Sequence, residues 1–517
     1  MWKKIAVAVV ALVIVALAGG FFFLRSLASD DSVRATLQAR LGDVLGQPVR
    51  IGRAHLVFSP KIGIELTDVA IGEPPRVALG SVRLVTGLGP LLSRRVEHAE
   101  AIVERGEIDL PLPAFRIGGP APAVPAGAAA AGGAGIAIVS VDTIALRGIA
   151  VKSRDRTLTI DLETTLAQNR LDVRRLAARA DQTLIEGTGA ITDLSTFQAS
   201  LALKANELDL DRLIAFLSSF APESTPPAAT TAAATPGPAA PAPARLVVTL
   251  AAPKGQMAGV PFTDLTAQAT VTRTAITIDP LSFRIFGGTY GGTLALDLSA
   301  ATPTFTWDAA LDHVNAAEAL KHAGAGNVMS GTVSGRVHLT GSGTDAATAL
   351  KLVKGSGKID VRDGTLPTLK LVSATVNALG KPGAEPAGSA DAFTLLGGTF
   401  TLADGIMASN DLVLNSRDLD VDGAGTVSLA AGTLDVKGKL RLSEEMSKRV
   451  GGEVKRLMTE NNRVVLPAVV TGPVSQPTVL IDLKAATTRA LNNAVQSQIN
   501  KGLSGLLNKN KKKKGGG

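Results

Sequence analysis

Leu158-Thr159-Ile160-Asp161-Leu162 and Leu294-Ala295-Leu296-Asp297-Leu298 carry a leucine or isoleucine at every second position. A period of two places those side chains on one face of a β-strand and the intervening residues on the other. The pattern recurs from Val49 onward, in Val69-Ala70-Ile71, Ile276-Thr277-Ile278, Ile359-Asp360-Val361 and Phe400-Thr401-Leu402. It continues in Leu412-Val413-Leu414 and Val427-Ser428-Leu429. Each stretch is bounded by Gly, Asp, Asn or Pro. Short alternating runs separated by turn residues predict a mainly β, antiparallel architecture with one apolar and one polar face. Roughly 25 such strands at about 4.8 Å spacing would stack to some 120 Å if untwisted.

Helical spacing interrupts the strands at a few places. Asp30 to Gln47 places Val33, Leu37, Leu41, Val44 and Leu45 on one face, with Asp30, Asp31 or Ser32 as cap and Gly46 as stop. Asp211 to Phe220 carries an apolar stripe through Leu213, Ile214, Phe216, Leu217 and Phe220. Pro367 to Leu379 opens on a first-turn proline and stops at Gly380. Ser443 to Glu460 has acids first and bases late, the order a helix dipole favours. Ala485 to Asn508 reads as an amphipathic helix with Leu491, Val495, Ile499 and Leu503 on its apolar face.

Two stretches rich in Ala, Pro, Gly and Thr, 111–135 and 221–244, lack the periodicity of a packed core and read as linkers. They delimit β regions over 25–110, 136–220 and 245–483, followed by the amphipathic segment 484–508 and a basic tail, 509–517. Residues 5–24 form an uncharged apolar run of the length a spanning helix needs, about 20 residues. Lys3 and Lys4 lie on its short side, so residues 1–4 are expected in the cytoplasm and the body on the far side of a membrane. The competing reading is a cleaved signal peptide, for which Ala16-Leu17-Ala18 and Ser26-Leu27-Ala28 fit the cleavage pattern. The run exceeds the usual signal core of about 7–15 residues, which favours an uncleaved anchor.

Composition narrows the chemistry. The 517 residues contain no cysteine, which excludes disulfides, thiolate metal sites and a cysteine nucleophile. The net charge is +8, and Lys509 with Lys511, Lys512, Lys513 and Lys514 supplies much of it. That tail reads as solubilising disorder, an anionic-membrane contact or a nucleic-acid arm. An adjacent amphipathic helix adds weight to membrane contact. Aromatic residues make up 3%, poor material for stacking nucleobases, so no nucleic-acid partner is expected.

No catalytic constellation emerges. The histidines stand in no strong ligand spacing. His98, near Glu97, Glu100 and Glu104, reads as a solvated strand or turn residue rather than a metal ligand. Asp418 to Gly423 copies half a calcium loop, but Leu429 occupies the place of its bidentate glutamate, so the segment reads as a strand. Gly287 to Gly292 and Gly341-Ser342-Gly343 lack the lysine and hydroxyl residue of a phosphate loop and read as hairpin turns. No enzyme, cofactor or metal is expected.

The chain resembles the AsmA-like proteins of Gram-negative bacteria. The likeness is carried by the apolar run and helix 33–45 followed by Gly46-Gln47-Pro48-Val49-Arg50-Ile51-Gly52, then Leu66 to Gly72. Phe286 to Gly292 running into Leu294 to Leu298 continues it, as do Gly331 to Gly335 and Gly355 to Gly364. Asp422 to Leu429 and Leu466 to Val474 complete it. Ile136 to Phe220 matches least. The resemblance implies a periplasmic protein anchored in the inner membrane by a single pass. It implies an elongated, curved β-sheet, the repeating β-groove of bridge-like lipid-transfer proteins, and a role in phospholipid movement toward the outer membrane. The family pattern includes no catalytic residues. Under this reading the groove candidates are Leu158, Ile160, Leu162, Ile276, Ile278, Leu294, Leu296, Leu298, Leu412 and Leu414. The same alternation would also suit a closed β core. The alternative function is a periplasmic assembly factor that binds outer-membrane proteins and carries no lipid.

Overall fold

The computed structural model describes residues 30–57, 61–87, 95–111, 137–153, 156–180, 182–219, 244–326, 328–343, 352–367, 392–449 and 458–481, with single positions at 89, 90, 93, 369 and 375. The chain divides into two compact units, Met1–Arg273 and Thr274–Gly517.

The first unit opens on helix α1 (Asp30–Leu45), then β1 (Val49–Val57), β2 (Ile62–Ile71), β3 (Val77–Thr86), β4 (Arg95–Val96), β5 (Ala99–Asp109) and β6 (Ala137–Ile138). It continues with β7 (Ser140–Ser153), β8 (Arg156–Ala167), β9 (Arg170–Ala180), β10 (Thr183–Asp193), β11 (Gln198–Ala205) and β12 (Leu208–Asp209). Helix α2 (Leu210–Ser219), β13 (Arg245–Met257) and β14 (Val260–Val271) complete it. The expected spacing of α1 holds: Leu37, Leu41 and Leu45 are buried, while the side chains of Val33 and Val44 lie outside the described set. Gly46 ends the helix at φ 63°, the left-handed position that follows many helix C-termini. The three leucines share one core with residues of β1 to β3, including Ile51, Leu66, Val69 and Val82. Burying such a side chain contributes about 1.5–3 kcal/mol.

Strand pairing follows chain order through β1, β2 and β3, and again from β7 to β11. The antiparallel expectation fails at four pairs. β4 pairs with β6, β5 with β7, and β11 and β12 with β13, all parallel. The physical reason is in the connections. A parallel pair needs a crossover of roughly a dozen residues or more, whereas an antiparallel pair needs only a tight turn. Both stretches read as linkers fall inside such connections, between β5 and β7 and between α2 and β13. They lie almost wholly outside the described residues. Sheet pairing therefore resumes on the far side of each.

Helix α2 is close to its expected place. Asp209 caps it, its Oδ1 accepting from the Arg212 N–H at 2.9 Å. That backbone hydrogen bond is the main reason the Asp209 carboxyl is held below its ordinary range. Leu213 is half-buried, and the side chains of Ile214, Phe216, Leu217 and Phe220 lie outside the described set.

The second unit contains β15 (Ala275–Ile285), β16 (Gly288–Asp297), β17 (Thr304–Asn315), helix α3 (Ala316–His322), β18 (Thr332–Ser342) and β19 (Lys354–Thr365). β20 (Ala392–Ala403), β21 (Ile406–Asn415), β22 (Leu419–Ser428) and β23 (Thr433–Leu442) follow, then helix α4 (Glu444–Arg449), β24 (Thr459–Glu460), β25 (Arg463–Pro473) and β26 (Thr478–Ile481). Neighbouring strands pair antiparallel in chain order, and β25 lies beside β23. A closed core forms where α4 and Met458 cover Leu419, Leu440, Leu442, Val464 and Leu466. The helix expected over Ser443 to Glu460 is corrected at its end, since Thr459 and Glu460 pair with Val464 and Arg463. Asn461 and Asn462, with φ 48° and 63°, make the tight turn between them, a conformation asparagine tolerates. The helix expected at Pro367 to Leu379 falls almost wholly outside the described residues, as do the apolar run 5–24, the amphipathic segment 484–508 and the lysine tail. Among the described residues no helix is long and apolar enough to cross a membrane.

Aspartates fix several turns. Asp193 Oδ1, at the end of β10, accepts from the Ser195 N–H at 2.8 Å, the Thr196 N–H at 3.1 Å and Asn169 Nδ2 at 2.8 Å. With the Ser195 side-chain bond contributing most, these hold the carboxyl far below its ordinary range. A carboxyl whose folded pKa is depressed stabilises the fold above its unfolded value, about 3.9, and ceases to as pH falls through the folded value. Hydrogen-exchange protection of the Ser195 and Thr196 amides should therefore be full at neutral pH and decline in strong acid. Equal protection, after correction for intrinsic rates, would remove the carboxylate from the account of this turn.

Candidate functional site: a half-exposed apolar sheet face

Residues opposite one another in register share a face, so the pairings assemble the site. In the first unit, Leu158, Ile160 and Leu162 of β8 stand opposite Ala180, Ala178 and Leu176 of β9. Ala178 and Leu176 face Ile185 and Gly187, which in turn face Ala205 and Leu203. Leu201 and Leu203 lie beside Val248 and Leu250, and these meet Ala269 and Ala267. The face runs in register from β8 to β14. The other face carries Thr159, Asp161, Arg179, Glu186 and Lys204 at the alternating positions.

Burial along this face changes. Ile160 is 8% exposed and belongs to the closed core, with Leu158 and Leu162 packed against it. Beyond β9, Leu201, Leu203, Val248 and Leu250 are only half-buried, while Ala205, Ala252 and Leu265 among them are buried.

The second unit repeats the arrangement. Ile276 faces Leu296 and Ile278 faces Leu294. Leu294 and Leu296 face Trp307 and Phe305, which face Leu339 and Gly341. Farther on, Leu412 faces Gly423 and Leu414 faces Val421. Ile276, Ile278, Leu294, Leu296 and Leu412 are half-buried on this face. Leu414, 7% exposed, lies in the closed core instead. Leu298 falls just beyond the end of β16, 41% exposed, where its N–H donates to the Thr274 carbonyl at 2.7 Å. The membrane-contact candidates Leu491, Val495, Ile499, Leu503 and Lys511 to Lys514 lie outside the described residues.

Glycine and aromatic residues complete the face. The expectation of hairpin turns at Gly287 to Gly292 and Gly341-Ser342-Gly343 is corrected: Gly287 turns at φ 76°, but Gly288, Gly291, Gly292 and Gly341 lie within β16 and β18. A Cβ on Gly341 would meet Phe305 Cε1 at 2.5 Å, and one on Gly357 would meet Phe400 Cζ at 2.6 Å. Each ring lies over a glycine on the neighbouring strand, so it covers backbone that would otherwise face solvent. The signal was present: Gly355-x-Gly357 and Gly423-x-Gly425 keep the strand period, unlike turn glycines. Tyr290, 7% exposed, lies on the same face. It stacks on Phe283 with centroids 4.4 Å apart and accepts from Trp307 Nε1 at 2.6 Å. Burial raises the Tyr290 pKa, against a smaller opposing effect of the Trp307 bond, so its phenol stays protonated at neutral pH.

The acidic residues singled out in the sequence serve the polar face. Glu100 pairs with Lys61 at 2.9 Å, Glu104 with Arg147 at 3.1 Å and Glu97 with Arg95 at 2.8 Å. His98 Nδ1 lies 3.2 Å from Asp142 on the exposed surface. Asp420 pairs with Arg463 at 2.6 Å and Asp422 pairs with Arg441, as strand residues of β22 rather than ligands of a loop. Among the described residues no cluster of histidine and carboxylate side chains could hold a metal ion.

A model of the AsmA family matches residues 138–412. The matched stretch includes 138–220, where the likeness read from the residues was weakest. Neither the curated proteins nor the solved structures include a match to the chain.

Proposed function

Since this chain belongs to the AsmA family, we infer that it is a non-enzymatic envelope protein which shields phospholipid acyl chains on its half-exposed apolar face. On this reading residues 5–24 anchor it in the bacterial inner membrane by a single pass. The N-terminus is cytoplasmic, the body is periplasmic, and the protein contributes to lipid transport between the two membranes and to outer-membrane integrity. The observation that carries the reading is an apolar face that runs in register from strand to strand in each unit and is only half-buried at Leu201, Leu203, Val248 and Leu250 in the first and at Ile276, Ile278, Leu294 and Leu296 in the second.

The energetics give such a face a use. Burial contributes about 0.8 kcal/mol per CH₂, so two long acyl chains exposed to water would cost on the order of 20 kcal/mol. A sheet with one apolar side offsets that cost without chemistry. Small and aliphatic side chains offer few deep pockets to detain one molecule. Partners under this proposal are phospholipid, the inner membrane, an anionic membrane surface for 484–517, and a protein of the periplasm or outer membrane.

The test places a photo-reactive benzoylphenylalanine in the full-length protein in intact cells, at Ile278 on the apolar face or at Ala295 on the polar face. Phospholipid adducts, identified by mass spectrometry, are expected from position 278 and not from 295. Leu296→Asp should lower the adduct yield at 278 by about tenfold, because a carboxylate beside an acyl chain loses its hydration. Protein adducts at 278 without lipid would sink the reading and favour an assembly factor for outer-membrane proteins.

A further inference from the structure

The apolar face of the second unit holds one polar pair. Tyr290 on β16 and Trp307 on β17 both project from it, and the indole Nε1 donates to the phenol oxygen at 2.6 Å. The phenol leans along its own strand, since a Cβ on Gly292 would lie 2.9 Å from its oxygen. A bulkier residue at 292 would displace it.

The donor inventory of this pair is unbalanced. Indole offers one N–H and no acceptor, while a phenol both donates and accepts. Trp307 directs its proton to Tyr290, and no acceptor for the Tyr290 proton is found among the described residues. Tyr290 is 7% exposed as a residue, and a phenol proton held largely away from water gains from an acceptor. Trp307 itself is 37% exposed, so the pair borders open surface.

The surroundings define which acceptor the phenol would suit. The facing positions in register are Phe283, Leu311, Leu294 and Leu339. None is charged. Arg284 and Arg336 sit at the alternating positions, on the opposite face. An anionic oxygen brought here would be desolvated with no cation to receive it. A neutral carbonyl flanked by hydrocarbon meets both requirements.

We propose that the Tyr290 hydroxyl, held by Trp307, donates to the ester carbonyl of an acyl lipid and so forms a polar resting point on the apolar face. This rests on the lipid reading above and specifies it: the pair recognises the ester linkage, neither the headgroup nor the chain.

The experiment uses full-length protein in amphipol with Trp2→Phe, which leaves Trp307 as the sole tryptophan. Its emission is followed during titration with dihexanoyl-phosphatidylglycerol or the dihexyl ether analogue, which keeps the phosphate and lacks both carbonyls. The diester should bind about 3- to 10-fold more tightly than the diether, the range of one net hydrogen bond. Tyr290→Phe, which retains the ring over Phe283 and Gly292, should bind both at the diether affinity. Equal affinity of the unmodified Tyr290 protein for both lipids would overturn the ester contact and leave the lipid reading standing. Equal weakening of both lipids by Tyr290→Phe would also overturn it, since the hydroxyl would then serve the phosphate or the fold. Failure of both lipids to bind would remove the lipid reading and this inference together.

Discussion

Leu466→Ala should destabilise the second unit by about 2–5 kcal/mol, the usual cost of emptying a leucine site in a closed core. Leu466 has no exposed surface, faces Leu440 in register, and packs in the cluster that α4 and Met458 cover. Leu296→Ala removes the same atoms from a half-exposed site on the same sheet face. Its cost should be smaller, about 1–2 kcal/mol, since part of the side chain stays in water in the folded state and no closed cavity is left. Urea unfolding of the two variants, followed by Trp307 fluorescence in a Trp2→Phe background, gives both numbers. Their difference reports how open the face is. Equal costs would mean that Leu296 is covered in solution, which would contradict a face available to ligand.

Gly357→Val should cost about 3 kcal/mol, at the upper end of overpacking penalties. Strand propensity alone would give the opposite sign, since valine is favoured and glycine disfavoured in strands. Local geometry decides against propensity. A Cβ at 357 would stand 2.6 Å from the Arg336 carbonyl oxygen and 2.6 Å from Phe400 Cζ. The ring can turn aside, but the carbonyl belongs to a paired strand and cannot move without breaking the ladder. Loss of the β18–β19 register, read as faster amide exchange at Arg336 and Lys358, should accompany the destabilisation. A neutral or stabilising result would show that the Arg336 carbonyl does not stand against position 357.

The sheet and its apolar face were legible in the sequence because alternation is a direct image of the pleat. Leu158 to Leu162 and Leu294 to Asp297 lie on strands with the expected facing. Helix α1 was legible for the same reason, as a spacing of four between leucines. What alternation cannot encode is whether a second layer covers the face. Leu296 and Leu414 occupy equivalent places in the pattern, yet one is half-exposed and the other belongs to a core closed by residues from α4 and the segment after it. Parallel pairing was equally invisible, because it depends on where a chain returns after a long connection. The Tyr290–Trp307 bond joins residues 17 apart, with no motif at either end. Helix α3 went unread as well. Its seven residues are too short to display a period, and its one clear mark is the Asn315 cap, accepting from the Glu318 N–H at 3.1 Å.

Within the second unit, nearly every strand pairs with the strand that precedes it and the strand that follows. An architecture of that kind grows by copying. A duplicated hairpin can enter between two existing ones and find both of its partners already in place, without disturbing the register of any remote strand. Length then becomes a heritable variable that changes in steps of one hairpin, and losing a hairpin is the same operation reversed. In the first unit, the parallel junctions between β5 and β7 and between β11 and β13 interrupt that arrangement. There the partner is reached only after a long excursion, so a copy made across such a junction must carry the whole connection with it. Those two places are where gene duplication would be most constrained, and the antiparallel stretches are where it would be least.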